Sequence, residues 1–227
     1  MQFLRTLFNR MSRYLRQKKW ERLAEVLLSD SRLTISDVGV WCRFPEPHPA
    51  ENWLEKQDFT RGNLIAVGLE NMEDFKLKYP DVFCVQANGC SLPFKDGAVD
   101  YVVANAVLEH VPSTEQENFV AAMARVARKQ AILTVPDRFC PIEIHSRIPL
   151  LHWLPFWRST FHMVGEQFWS KLENLSSIFS KSTLNRLLNR SIDHRWMIKR
   201  QMLLFIPISL IAWITKPGVT KRYMIQE

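Results

Sequence analysis

Five short apolar runs, separated by stretches with the period of a helix, constrain this chain more than any other feature. Residues 33–40 (LTISDVGV), 64–69 (LIAVGL), 82–86 (VFCVQ), 99–104 (VDYVVA) and 131–135 (AILTV) each read as a buried strand. Residues 50–59, 72–79 and 114–128 between them read as helices. Strand–helix alternation implies parallel strands joined by right-handed crossovers. The result is a doubly wound α/β sheet whose ligands bind at the carboxyl ends of the strands. After the fifth run the regularity breaks: residues 138–170 are rich in proline and aromatics, and Trp153, Phe156 and Trp157 among them are expected in the core. A helix with a serine/threonine start follows at 182–189. Residues 195–204 and 209–216 then read as two closing strands, which assigns the apolar tail to the sheet.

Ahead of this pattern lies a basic amphipathic segment. Phe3, Leu4, Leu7, Phe8, Met11, Tyr14 and Leu15 recur every three or four residues, and basic residues fill the gaps. Of the formal net charge of +7, the excess sits almost wholly on Arg5, Arg10, Arg13, Arg16, Lys18 and Lys19. The chain therefore divides into an N-terminal helix over 1–30 and a domain over 31–227 with an insertion at about 138–180. For the helix two readings stay open: peripheral contact of residues 1–20 with an anionic membrane, or packing on the domain that follows. A basic stripe across the domain is missing, so no nucleic-acid partner is expected.

Cys42, Cys84, Cys90 and Cys140 form no CxxC pair and lie near no histidine pair, so neither a zinc site nor a disulfide framework is expected. Charges interrupt the N-terminal apolar residues, which argues against a signal-peptide core. The longest apolar run, residues 202–214, contains Pro207 and is too short to span a bilayer. These features together suggest a cytoplasmic protein, with the inner membrane face as a site of peripheral contact.

The segment Leu92-Pro93-Phe94-Lys95-Asp96-Gly97, then Asp100, then Val107-Leu108-Glu109-His110-Val111, resembles class I methyltransferases dependent on S-adenosylmethionine (SAM). The resemblance runs from about Asp37 to Val135 in order and spacing. A second element, Pro136, Arg138, Phe139, Pro141, Ile142, Glu143 and His145, resembles a bacterial branch of that family with a P-x-R-F-x-P-I-E-x-H pattern, whose members often occur with surface-glycan biosynthesis. The resemblance implies a Rossmann-like class I methyltransferase fold, mostly parallel and closed by an antiparallel C-terminal strand. It also implies SAM as cofactor, no metal, and a small-molecule or surface-glycan or lipid-linked acceptor.

It further implies where the cofactor would sit. Asp37 and Gly39 match the acid and first glycine of the turn after the first strand, while Trp41 and Arg43 stand where further glycines are usual. Gly68 replaces the acid that ends the second strand, leaving Glu70 to reach the ribose. Asn88 and Gly89 follow the third strand, with the Asn88 carbonyl as acceptor for the adenine amino group, and Asn105 at the exit of the fourth lines the pocket. For the acceptor the candidates are His110, Glu143 and His145. Their structural alternatives are a turn cap for His110 and ion pairing of Glu143 with Arg138 or Arg147. Methyl transfer from a sulfonium needs alignment above all, and a base only where the acceptor must lose a proton. Two function classes follow: a SAM-dependent methyltransferase, or a methyltransferase-like chain that has lost the chemistry and serves as a binding or scaffolding subunit.

Overall fold

The structure is a computed structural model that describes residues 14, 17–21, 23–27, 30, 32–43, 52, 54–56, 63–141, 150–153, 175–203 and 205–218. Seven strands form one sheet: β1 (Ile35–Val38), β2 (Leu64–Gly68), β3 (Phe83–Gln86), β4 (Val99–Asn105), β5 (Ala127–Pro136), β6 (Arg195–Leu203) and β7 (Ile206–Thr215). Their order is β3-β2-β1-β4-β5-β7-β6. The first five strands pair in parallel. β7 pairs antiparallel with both β5 and β6, so the apolar tail is a sheet hairpin, as its sequence suggests. No helix among the described residues is long and apolar enough to cross a membrane.

Parallel strands bury both faces, and two clusters of apolar side chains cover them. On one face, α2 (Gln116–Val126) and α3 (Lys181–Ser191) pack Phe119, Val120, Met123, Leu184 and Leu188 onto the sheet. α3 opens with a capping box in which the Ser180 hydroxyl accepts from the Thr183 amide at 3.2 Å and the Ser180 amide donates to the Thr183 hydroxyl at 2.8 Å. On the other face, Phe75 of α1 (Glu73–Lys78) is joined by Trp20, Leu23, Val26 and Leu27 of the N-terminal segment. Residues 17–21 and 23–27 are helical, and this end of the segment packs on the domain. Residues 1–13, which carry most of the membrane proposal, lie outside the described residues.

Three expectations need correction. The helix expected to run to residue 128 stops at Val126, because Ala127 turns directly into β5 and pairs with Val99. Of the helix expected over 50–59, the described part is a 3-10 turn at Leu54–Lys56. Trp153 is 49% exposed rather than core, its indole N–H donating to the Arg138 carbonyl at 2.9 Å; Phe156 and Trp157 lie outside the described residues.

The Leu92–Asp100 block has a structural job. The Arg125 guanidinium donates to the Phe94 carbonyl at 2.7 Å, the Leu92 carbonyl at 2.8 Å and Asp96 Oδ1 at 2.9 Å. Gly97, at φ 62°, donates its amide back to the Arg125 carbonyl at 2.9 Å. Asp100 Oδ2 accepts from the Thr34 amide and hydroxyl, both at 3.1 Å, which ties the entry of β4 to that of β1. The block thus laces the amino ends of the strands. Replacing Arg125 by methionine removes three charge-assisted bonds and is expected to lower stability by about 2 kcal/mol. Urea denaturation measures this, and ligand binding at the opposite rim is expected to be unchanged.

Candidate cofactor site

The strand order reverses between β1 and β4, and a doubly wound sheet opens its ligand crevice at such a switch point. Asp37 of β1 and Asn105, the last residue of β4, stand there. Asp37 is buried at 7% exposure. Its side chain shares a strand face with Ile35, so it turns toward the N-terminal helix. Asn105 Oδ1 accepts from the Lys19 ammonium at 2.5 Å and from the Thr134 hydroxyl at 2.7 Å. Lys19 is itself buried.

A second buried carboxylate completes the cluster. Glu55, in the 3-10 turn, has no exposure, and both its oxygens lack a hydrogen-bond partner among the described residues. Burial pushes its pKa from an ordinary 4.5 up to about 7, making it a weaker acid. Asp37 is also held well above the ordinary carboxylate range, first by burial and then by the neighbouring charge of Glu55; the Lys19 ammonium pulls in the other direction. Two carboxyl groups and one ammonium therefore share a buried site. Sequence reading missed Lys19 and Glu55. The signal for Lys19 was its spacing from Leu23, Val26 and Leu27, which puts it on the apolar stripe of its helix.

The altered first turn takes a route of its own. Gly39 sits at φ 85°, and a Cβ there would lie 2.5 Å from Val107 Cγ2. Ala106, at φ 57°, makes the sharp bend that brings Val107 over this glycine. The Trp41 amide donates to Asn52 Oδ1 and its carbonyl accepts from Asn52 Nδ2, both at 2.9 Å. The indole is 44% exposed, and the Arg43 guanidinium points out to meet Glu70 at 2.8 Å. Neither bulky side chain fills the crevice. Cys42 is the inward residue: its sulfur occupies the space that a Cβ on Gly68 would need.

Of the residues singled out by sequence, Asp37, Gly39 and Asn105 converge at the switch point. Glu70 is engaged by Arg43 at the surface. Asn88 is exposed, and its Oδ1 accepts from the Cys90 amide at 2.9 Å, capping a 3-10 turn at Gly89–Ser91. Gly89 packs against the Phe119 ring, where a Cβ would lie 2.5 Å from Cε2. His110 is exposed in the turn Leu108–His110, beyond the end of β4, while its neighbour Glu109 is buried. Glu143 and His145 lie outside the described residues. No cluster of potential metal ligands occurs among the described residues.

The architecture is that of a Rossmann-like methyltransferase, and comparison with known proteins agrees. A sequence family described as "Methyltransferase domain" matches residues 56–135. A "Probable S-adenosylmethionine-dependent methyltransferase" of Mycobacterium tuberculosis is 39% identical over 80 residues, which cover 31% of this chain and 28% of that protein. The match thus spans little more than a quarter of the curated relative. Among solved structures, the methyltransferase domain of bacterial CtHen1 superposes with a TM-score of 0.57 at 11% identity, covering 90% of this chain and all of that one (100%). Magnesium protoporphyrin IX methyltransferase of Synechocystis, solved with S-adenosylhomocysteine, gives 0.53 at 14% identity over 90% of this chain and 85% of that one. Residues 56–135 are thus similar to methyltransferase domains, and the fold is the Rossmann-like one these structures share.

The buried carboxyls make a pH prediction. Glu55 is easier to protonate in the folded chain than in the unfolded one. Its stabilising contribution is therefore full below pH 4.5, declines as pH rises, and is gone above about pH 7. A displacement of that size corresponds to about 3 kcal/mol at most. Glu55→Gln is expected to be nearly as stable as the parent at pH 5 and more stable at pH 8, as read by urea midpoints across that range. A constant difference at all pH values would show that Glu55 ionises normally.

Proposed function

We propose that this chain is a SAM-dependent methyltransferase that binds its cofactor between the ends of β1 and β4. The observation that carries the reading is the pair of buried carboxyls, Asp37 and Glu55, beside the half-buried Asn105 amide, which offer a cation acceptor oxygens in a crevice where this fold places ligands. SAM carries an α-ammonium and a sulfonium, so the residues present fit it. Asp37 would pair with the ammonium, in a site where the Lys19 charge already acts on it and bonds to Asn105. Asn105 Oδ1 accepts from an N–H donor, and Thr134 holds it in that orientation. The bend at Gly39 keeps Cβ atoms out of the crevice edge. Glu70, next to Arg43, is the remaining polar group at the end of β2 and would take the ribose hydroxyls. Asn88 would receive the adenine amino group.

When bound, SAM supplies an already activated methyl group, so positioning of the acceptor accounts for much of the rate. His110, exposed just past the end of β4, would take up the acceptor's proton at an imidazole nitrogen where the acceptor has one to lose. Glu143 and His145 are proposed to contact the acceptor from the insertion. The acceptor class favoured by the Pro136–His145 element is a small molecule or a surface-glycan or lipid-linked group, with the chain cytoplasmic and residues 1–20 touching the inner membrane face.

Lys19 also gives the catalytically silent reading a footing, because a chain that sets its own ammonium on Asn105, near Asp37, supplies the site with a cation of its own. Calorimetric titration with SAM and S-adenosylhomocysteine separates the two. The enzymatic reading expects saturable binding, loss of SAM affinity by at least about tenfold in Asp37→Asn, and tighter binding in Lys19→Met, where the internal competitor is removed. Absence of binding by both the parent and Lys19→Met would leave the silent reading.

A further inference from the structure

A pocket of about 420 Å³ lies outside the proposed cofactor crevice, against the start of α2, the lead-in to α3, α3 itself and the chain beyond β5. That volume suits a small ligand. Its walls are well fixed. The Ser176 and Ser177 amides donate to the Glu109 carbonyl at 2.7 and 3.1 Å. Gln116 Nε2, on α2, donates to the Val111 carbonyl at 3.0 Å and to the Ser177 hydroxyl at 2.8 Å. The backbone of Arg138 is pinned three ways: its amide donates to the Phe179 carbonyl at 2.7 Å, and its carbonyl accepts from His152 Nε2 at 2.8 Å and from Trp153 Nε1 at 2.9 Å.

The polar lining of this pocket is rich in cations. Arg138, Arg186 and Arg190 all line it. Arg186 and Arg190 lie four residues apart on one face of α3. Arg190 is matched by Glu117 at 3.0 Å, but Arg138 and Arg186 pair with no carboxylate among the described residues. Asp137 does not compensate Arg138, since its Oδ2 meets Arg200 at 2.5 Å and its Oδ1 accepts from the Phe139 amide at 3.0 Å. His152 lines the same pocket at 7% exposure. Its Nε2 faces a carbonyl and so carries the hydrogen, which leaves Nδ1 buried without a hydrogen-bond partner among the described residues. The Ser177 hydroxyl accepts from Gln116 and keeps its own hydrogen to give.

We propose that this pocket binds a phosphate or diphosphate group. Guanidinium forks match oxyanions, and two of them on separate elements call for a ligand with several oxygens spread in three dimensions rather than one planar carboxylate. Ser177 donates to such a group. The ligand is therefore a phosphate ester or a diphosphate, neutralising Arg138 and Arg186 at once. On the methyl-transfer reading, and resting on it, this group is the handle by which an acceptor is held beside His110; the binding itself does not depend on that reading.

The test is calorimetric titration of the full chain with inorganic pyrophosphate at low ionic strength. The parent is expected to bind with a dissociation constant below about 1 mM, and Arg138→Gln and Arg186→Gln each to weaken it about tenfold. Lys181→Gln removes the same charge from α3 at a residue that does not line the pocket, and should change affinity by less than about twofold. The exposed side chains keep these variants folded, which circular dichroism checks. No saturable binding by the parent, or an equal loss in Lys181→Gln, overturns the proposal. SAM titrations of the same variants read the methyl-transfer proposal separately: pyrophosphate binding without SAM binding would fail that proposal and leave this one standing.

Discussion

An ionisable carboxyl group buried at the end of a central strand has few ways to be stable, and the rim of this sheet is organised around that constraint. Asp37 cannot reach bulk water, and a second acid, Glu55, is packed near enough to disfavour its charge further. The chain answers with an ammonium delivered by a helix from outside the sheet. Lys19 is held by Asn105, Asn105 is held by Thr134, and the three span the N-terminal segment, β4 and β5. Trp20, Leu23, Val26 and Leu27, which follow this lysine in the same segment, are part of the apolar cover on that face. Electrostatics at the rim and packing on the sheet are therefore linked through one helix.

The architecture was legible because it rests on periodicity. Runs such as AILTV and VDYVVA are apolar on both faces, which only a covered parallel strand requires, and each appears as a strand at its expected place. The C-terminal hairpin was legible for the same reason. Boundaries were less so: the sequence of α2 continues smoothly past Val126, and only the pairing of Ala127 with Val99 ends the helix. Trp153 was misjudged because composition ranks tryptophan as core, whereas its indole N–H found a carbonyl at the surface.

The site was legible in part. Asp37, Gly39 and Asn105 are tied to strand ends, and strand ends are what periodicity locates. Lys19 and Glu55 come from elements whose distance in sequence hides their proximity, so the charge balance of the crevice could not be read from a motif. The most recognisable block, Leu92 to Asp100, turned out to serve the opposite edge of the sheet. Its aspartates and glycine fasten Arg125 and Thr34 at the amino ends of the strands. A motif of this kind reports the fold, while the charge balance of the crevice depends on residues outside it.

Gly68 and Cys42 carry a consequence for how this chain can change. The glycine looked like a lost ribose-binding acid, yet the sulfur of Cys42 lies where any side chain on that residue would begin. Restoring an acid at 68 is blocked while the thiol stays, and shrinking the thiol alone opens a void against Met72 and the end of β2. The two substitutions are therefore locked as a couple. A side chain at 68 and the thiol at 42 claim one volume, so a chain carrying both would have to move the first turn away from β2.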